Sequence, residues 1–161
     1  MTALPISHMA REVAEIPEAV ARFLDRSGPA VTAAALALRT RDPGVITTVA
    51  RGTSDHAATY LKYAVELAAG VPVASVGPSI ASIYHRPLRL KGAACIGISQ
   101  SGKSPDIVEM MRSAGQGGAL TIAITNFADS PMAQVTDHCL PLQAGEEKSV
   151  AATKTFIASV T

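Results

Sequence analysis

The stretch Ile98-Ser99-Gln100-Ser101-Gly102-Lys103-Ser104-Pro105 decides the fold of this chain. It follows an apolar, β-rich run at residues 92–98 and precedes a helical pattern at residues 106–114. A strand, a hydroxyl-rich loop and a helix in that order direct backbone N–H groups, side-chain hydroxyls and the positive end of a helix dipole to one place. The natural occupant of such a place is an anion, and a phosphate is the best candidate.

Around this stretch, apolar β-rich runs alternate with helical patterns. The predicted strands cover residues 45–50, 71–76, 93–99, 119–125 and 138–142. The predicted helices between them cover residues 54–69, 79–84, 106–114 and 131–135. Strands that are apolar on both faces and separated by helices indicate a parallel sheet covered on both sides. We therefore predict an α/β fold in which a doubly wound sheet binds its ligand at the carboxyl ends of the strands.

The two ends of the chain are predicted to be helical. Residues 1–41 form a predicted N-terminal helical segment, in which Pro17 separates a short first helix from a second one. An Ala-rich helix at 30–41 then ends in a turn, and residues 42–161 form the predicted domain. A last helical pattern at 149–161 stops without a terminator. We therefore expect a longer natural protein, and a partner for the apolar face of residues 150–160.

Composition excludes several classes of function. Hydrophobic residues make up 48% of the chain, charged residues 17%, and the net charge is +1, so a packed core is expected and a nucleic-acid-binding surface is not. No apolar stretch is long enough to span a membrane. Cys95 and Cys139 are predicted to be buried thiols of a reduced, cytoplasmic protein. The four histidines are scattered, and we expect neither a metal nor a cofactor.

Two alternatives compete with a site for a non-nucleotide phosphate. Residues 97–104 match the G-x-x-x-x-G-K-[ST] pattern of nucleotide-binding P-loops. Gly97 lies within the predicted strand, Pro105 follows at once, and residues 119–125 end at Asn126 rather than at an aspartate, so a nucleotide is disfavoured. The other alternative is a serine-rich connector that only caps helices. A second hydroxyl loop at residues 52–54, with Thr53 or Ser54 as the expected helix cap, favours a binding site instead.

Three motifs in a fixed order give the chain a family resemblance. They are Arg51-Gly52-Thr53-Ser54-Asp55-His56-Ala57, Ile98-Ser99-Gln100-Ser101-Gly102 and Val150-Ala151-Ala152-Thr153-Lys154-Thr155-Phe156. Together they resemble the first sugar isomerase (SIS) domain of glucosamine-6-phosphate synthase (glutamine–fructose-6-phosphate aminotransferase) and its glutaminase-free relatives, such as glucosamine-6-phosphate deaminase. The resemblance implies a three-layer α/β/α, flavodoxin-like domain with a five-stranded parallel sheet.

The resemblance also implies a set of site residues. Those that would bind the phosphate of a hexose or hexosamine 6-phosphate are Ser54, Ser99, Gln100, Ser101 and Ser104. Those that would contact the sugar are Gly52, Thr53, Val150 and Ala151. Glu147 is the best local candidate for the base that moves a proton between C1 and C2, and a solvated loop charge is its alternative. The main base and the ring-opening histidine are expected from a second SIS domain or a neighbouring subunit.

The activity implied by the resemblance is that of an aminosugar-phosphate isomerase, deaminase or aminotransferase that interconverts fructose 6-phosphate and glucosamine 6-phosphate. Its catalytic set would be incomplete in this chain, and its partner would be a second SIS domain or a second copy in a homodimer. The chain departs from the synthases at Lys103-Ser104, where an acidic residue and a threonine are usual, and at Arg51, where cysteine is common. Lys103 is expected to be a surface charge. A non-catalytic sugar-phosphate-sensing domain is the alternative function.

Overall fold

The computed structural model describes residues 7–161, and its elements alternate as the sequence predicts; residues 1–6 of the predicted N-terminal segment lie outside the described residues. The strands are β1 (Ile46–Val49), β2 (Val73–Ser75), β3 (Ala94–Ile98), β4 (Leu120–Thr125) and β5 (His138–Pro141). The helices are α1 (His8–Ala14), α2 (Ile16–Arg26), α3 (Gly28–Arg41), α4 (Thr53–Ala69), α5 (Ser79–Ser82), α6 (Pro105–Gln116), α7 (Pro131–Gln134) and α8 (Lys154–Val160).

The five strands form one sheet with the order β2-β1-β3-β4-β5. Every pair is parallel, and the register aligns Thr48 with Ile96 and Ile96 with Ile122. This is the strand order of flavodoxin-like folds, so the predicted fold class is confirmed. The direction of winding reverses between β1 and β3, and the carboxyl ends of these two strands therefore flank a crevice.

The two faces of the sheet carry separate apolar cores, as the strand pattern predicts. Ile96 and Ile98 of β3 belong to a core shared with α3 and α4, whereas Cys95 belongs to the core shared with α5, α6 and α7. Gly97 lies on the α6 side, where a Cβ atom would approach the sulfur of Met111 to 2.7 Å. This glycine therefore allows α6 to pack closely against the middle of β3, which is a different role from that of the first glycine of a P-loop.

The break between the first two helices is where the sequence places it. Pro17 lies in the first turn of α2, and Glu15 stands between α1 and α2. Helix α2 packs on α8, and α3 packs on β4 and β5. The Ser27 hydroxyl, between α2 and α3, donates a 2.6 Å hydrogen bond to the carbonyl of Pro141 at the end of β5. The helical segment is thereby attached to the sheet edge and to the last helix.

The end of the chain differs from the sequence prediction. Helix α8 begins at Lys154, and residues 149–153 form a loop rather than the first turn of a helix. Phe156 and Val160 pack against the core, and Ala158 is buried. The expectation that residues 150–160 need a partner outside the chain was wrong for α8, because α2 and α4 contact this helix, whereas Val150 in the preceding loop is exposed.

The two cysteines have different environments. Cys95 is fully buried, and its desolvation raises the pKa of the thiol to about 11. Cys139 is half-buried, and burial raises the pKa of its thiol as well. The prediction of a buried thiol is therefore confirmed in full for Cys95 alone. Among residues 7–161, no helix combines the length and the apolar character needed to cross a membrane.

Candidate functional site

A polar cleft of about 290 Å³ opens at the carboxyl ends of β1 and β3, at the crevice where the winding reverses. Three loops form its walls, and the residues that line it are Arg51, Gly52, Thr53, Ser54, Ser99, Gln100, Ser101, Ser104, Glu147, Ser149, Val150 and Ala152. The cleft brings together every site residue singled out from the sequence except Ala151, which is exposed. The volume is near the lower end of the range for small-molecule sites, roughly 300–1,000 Å³.

The loop between β3 and α6 is fixed by a glycine in a tight space. Gly102 has φ +61°, and a Cβ atom there would lie 2.2 Å from Ser130 Oγ and 2.9 Å from Thr125 Oγ1. Its carbonyl also accepts a 3.0 Å hydrogen bond from the N–H of Met132. A residue with a side chain would meet both backbone strain and a steric clash here, so this position requires glycine.

The loop hydroxyls retain protons that a ligand can accept. Ser99 Oγ accepts the N–H of Gly102 at 3.2 Å, and Ser101 Oγ accepts the N–H of Lys103 at 3.2 Å. A hydroxyl that accepts from the backbone can still donate its own O–H. Ser104 is the N-cap residue of α6, and its side chain makes no capping hydrogen bond in the described chain. Three serine hydroxyls of one short loop are therefore available as donors.

Helix α4 begins one residue earlier than predicted. Its N-cap is Gly52, with φ +57°, rather than Thr53 or Ser54. The prediction followed the capping preference of hydroxyl residues, but the backbone conformation at this turn favours glycine. Thr53 and Ser54 consequently lie in the first turn, where they line the cleft. The amino termini of α4 and α6 both face the cleft, and their dipoles favour a negative charge there.

The charges near the cleft are partly neutralised. Arg51 forms an ion pair with Asp106 in the first turn of α6 and so connects the two hydroxyl loops. The Arg51 side chain is 58% exposed, so the pair is expected to add little stability. Lys103 is exposed and places its Nζ 5.9 Å from the centre of the Phe127 ring. It does not line the cleft, which favours the surface role and not the P-loop role.

Glu147 is half-buried, and both of its carboxylate oxygens are hydrogen-bonded. Its Oε1 accepts hydrogen bonds from the N–H and hydroxyl of Thr153, both at 2.9 Å, and from the N–H of Thr155 at 3.3 Å. Its Oε2 accepts the Thr155 hydroxyl. These contacts disfavour the alternative of a solvated loop charge, and the Glu147 carboxylate holds residues 147–155 in a compact turn. A role as a base stays a prediction.

The structure adds Ser149 and Ala152 to the cleft, and no sequence signal distinguished them. Ser149 Oγ is buried and has no hydrogen bond of good geometry to the described residues, although it lies beside the carboxylate of Glu12. Ala152 lines the cleft where Ala151 was expected. Both positions depend on the path of the loop before α8, which the sequence pattern assigned to a helix.

A larger hollow, of about 780 Å³, lies near the opposite ends of the strands, between α3 and the starts of β4 and β5. Alanine and leucine side chains make up much of its lining, and its charged groups have protein partners. Arg41 donates to the carbonyl of Gly118, and Asp137 accepts from the N–H and hydroxyl of Thr121 at 2.8 Å. It is a weaker candidate because ligands of such sheets bind at the carboxyl ends of the strands.

Comparison with known proteins agrees with the fold of the chain and with the family resemblance of its motifs. The SIS domain family model matches residues 41–161. The curated glutamine–fructose-6-phosphate aminotransferase (isomerizing) of Aquifex aeolicus is 36% identical over 153 residues, which are 95% of this chain and 25% of that protein.

Two solved structures are also similar. A proposed phosphosugar isomerase from Silicibacter pomeroyi has a TM-score of 0.92 and 57% identity, covering 96% of this chain and 47% of that one. The C-terminal domain of glucosamine-fructose-6-phosphate aminotransferase from Francisella tularensis has a TM-score of 0.82 and 28% identity, covering 97% of this chain and 46% of that one. The chain thus spans about a quarter of the curated relative and about half of each solved chain.

Proposed function

The chain belongs to the SIS domain family, and from this premise we propose that its cleft binds a hexose or hexosamine 6-phosphate. One observation carries the proposal. The hydroxyls of Ser99, Ser101 and Ser104 converge with the amino termini of α4 and α6 in a single polar cleft. An anion with several acceptor oxygens satisfies all of these donors at once.

The donor set suits a phosphate monoester. Such a group carries a charge of about −1.5 to −2 at neutral pH and has three strong acceptor oxygens. The donors proposed for it are Ser54, Ser99, Gln100, Ser101 and Ser104. Each hydrogen bond to a charged group contributes roughly 1.5–3 kcal/mol. Neutral donors of this kind allow a ligand to bind and to leave without a bound metal ion.

The sugar is proposed to lie between the loops before α4 and α8. Gly52 and Thr53 line one side of this space, and Ser149 and Val150 line the other. Ala151, which the family resemblance implied as a contact, is exposed, and Ala152 takes its place in the lining. The relatives named aminotransferase and phosphosugar isomerase support a ligand of the aminosugar-phosphate class.

The reaction is proposed to be aldose–ketose isomerisation, coupled in some relatives to transfer or release of an amino group. Arg51 and Glu147 are the ionisable residues that line the cleft, and both are held by protein partners. We therefore propose that the main base and the ring-opening group come from a second SIS domain or a neighbouring subunit. The same observation favours one other function, a domain that binds the sugar phosphate and senses it without converting it.

The first test is a thermal-unfolding titration of the chain. Glucosamine 6-phosphate and fructose 6-phosphate should each raise the melting temperature, because a ligand at 100 times its Kd adds about 2.7 kcal/mol to the folded state. Glucosamine without its phosphate and ATP with Mg²⁺ should have no effect. Stabilisation by ATP with Mg²⁺ and not by either sugar phosphate would refute the proposal. A coupled assay for isomerisation of the bound ligand then separates an enzyme from a sensor.

A further inference from the structure

Helix α1 buries its one acidic residue and exposes its large apolar ones. Glu12 is 5% exposed, whereas Met9 and Val13 are 43% and 49% exposed. The helix precedes residue 41, where the match to the SIS family model begins. A buried carboxylate is unfavourable unless hydrogen bonds compensate it, so the contacts of Glu12 indicate what this helix does.

The Glu12 carboxylate binds two consecutive backbone amides of the loop that forms one wall of the cleft. Its Oε1 accepts the N–H of Lys148 at 2.5 Å, and its Oε2 accepts the N–H of Ser149 at 3.2 Å. These partners are 136 and 137 residues away along the chain. They lie between Glu147 and Val150, which both line the cleft. One side chain of α1 thus fixes the backbone beside the proposed sugar position.

Two more side chains of the helical segment hold the same loop at its ends. Arg22 of α2 donates from Nε to the carbonyl of Gln143 at 3.0 Å and from Nη2 to that of Ala144 at 3.1 Å. Glu15 forms an ion pair with Lys154, whose side chain is buried. The loop is therefore attached at its start, its middle and its end.

The opposite wall is held differently. Residues 99–104 are fixed by the close packing of Gly102 against Thr125 and Ser130, and by the hydrogen bond from Gly102 to Ser99. All of these residues lie within the part that matches the family model. We call residues 147–150 the sugar wall and residues 99–104 the phosphate wall. A change in α1 should therefore affect the sugar wall and leave the phosphate wall intact.

We infer that Glu12 is a positioning residue for the sugar wall, which holds residues 147–150 in the ligand-binding conformation without contacting the ligand itself. The identity of the ligand rests on the proposed function, but the hold of Glu12 on the loop does not. Ser149 is the residue most affected, since its N–H binds Glu12 and the residue itself lines the cleft.

The first experiment needs no ligand. Amide hydrogen exchange of the whole chain should become about tenfold faster at residues 148 and 149 in Glu12→Ala, which removes both acceptors. Glu12→Gln keeps one acceptor oxygen and should give a smaller increase. Residues 99–104 should be unchanged in both variants. Glu18→Ala, which removes an exposed carboxylate from α2, is the matched control and should leave all of these rates unchanged.

The second experiment separates the two walls by their ligands. Glu12→Ala should weaken glucosamine 6-phosphate binding about tenfold and change inorganic phosphate binding less than about twofold, because phosphate alone does not reach the sugar wall. Equal weakening of both ligands, or unchanged exchange at 148 and 149, would overturn the inference. If Glu12→Ala does not fold, both measurements are made on Glu12→Gln. If the wild-type chain binds no sugar phosphate, the proposed function fails, and hydrogen exchange still decides whether Glu12 holds the loop.

Discussion

The two walls of the cleft are built by different means. The phosphate wall is a contiguous loop, residues 99–104, whose conformation depends on Gly102 and on neighbours at the ends of β3, β4 and α7. The sugar wall is a loop without regular structure. Side chains of α1 and α2, which lie more than a hundred residues earlier in the chain, hold it in place. One side of the cleft is therefore determined by residues close in sequence, whereas the other side depends on contacts between distant parts of the chain.

The largest effect is expected at Gly102, because the phosphate wall has no room for a side chain. Gly102→Ala forces a positive φ on alanine and a Cβ atom to within 2.2 Å of Ser130 Oγ. Left-handed strain costs roughly 1–2 kcal/mol and overpacking about 1–3 kcal/mol. Unfolding in urea should show a loss of stability of this size. The affinity for the sugar phosphate should fall by at least about 100-fold, which is the effect of losing two hydrogen bonds to the phosphate.

The matched control is Gly44→Ala, since a Cβ atom at Gly44 would have no neighbour within 4 Å. It should bind the ligand as the wild type does. If Gly102→Ala keeps both its stability and its affinity, the loop is not the rigid half of the site.

Ser101→Ala should weaken binding without unfolding the domain. Its hydroxyl accepts the N–H of Lys103 and has its own proton available for the ligand. Loss of one hydrogen bond to a charged group costs roughly 1.5–3 kcal/mol, or about 10- to 150-fold in Kd. In contrast to Glu12→Ala, this change should weaken inorganic phosphate and glucosamine 6-phosphate equally in calorimetric titrations.

Ser82→Ala provides the control for Ser101→Ala, because the Ser82 hydroxyl donates to Pro78 within the α5 turn. It should leave both dissociation constants unchanged. A Ser101→Ala variant that weakens the sugar phosphate but not inorganic phosphate would place the phosphate elsewhere in the cleft.

Most of the fold was predictable because its signals are local. The alternation of apolar strands and helices gives the parallel sheet, and the loop at 99–104 follows directly from its own residues. Where local signals conflicted, the prediction was less accurate. Hydroxyl residues at 53 and 54 suggested a cap, but Gly52 with positive φ starts α4. The pattern at 149–161 suggested one helix, but the contacts of Glu147 with Thr153 and Thr155 keep the first part as a turn.

The support of the sugar wall was not predictable from one sequence. Glu12 lies on a helix whose pattern would place Met9 and Val13 inside, and the structure does the reverse. The partners of Glu12 are backbone amides, so the residue types at 148 and 149 do not indicate the contact. The presence of Glu147 in the site could be inferred by resemblance, but its four hydrogen bonds could not.

Variants at Glu147 and Thr155 decide whether this carboxylate positions the sugar wall or acts as a base. If it positions the wall, Glu147→Gln and Thr155→Val should both raise the Kd of glucosamine 6-phosphate, by about 5- to 30-fold, because each removes hydrogen bonds within the turn. If it acts as a base in the complete enzyme, Glu147→Gln should abolish turnover with little change in Kd, and Thr155→Val should retain turnover. Titrations and steady-state kinetics on both variants distinguish the two.

The smallest effect is expected from lowering the pH, and it should act on the sugar wall through Glu12. The adjacent Ser149 hydroxyl lowers the pKa of Glu12 below the ordinary 4.5, with help from the N–H groups of Lys148 and Ser149, while burial opposes this. A lowered pKa means that the carboxylate stabilises the fold fully above about 4.5 and loses this contribution as pH falls through the lower folded-state value. Between pH 7 and pH 5, Glu12 stays ionised and should therefore change neither the free energy of unfolding nor the protection of the loop amides relative to their intrinsic exchange rates.

Below that range, the free energy of unfolding in urea should fall more steeply for the wild type than for Glu12→Gln. The difference in slope should be at most about 1.4 kcal/mol per pH unit, the value for one proton. Glu66, whose pKa is lowered by the N–H of Val73, titrates in the same window in both proteins and cancels from the comparison. Identical slopes for the two proteins would mean that the Glu12 carboxylate does not hold the loop, and that the contacts of Arg22, Glu15 and Glu147 fix the sugar wall without it.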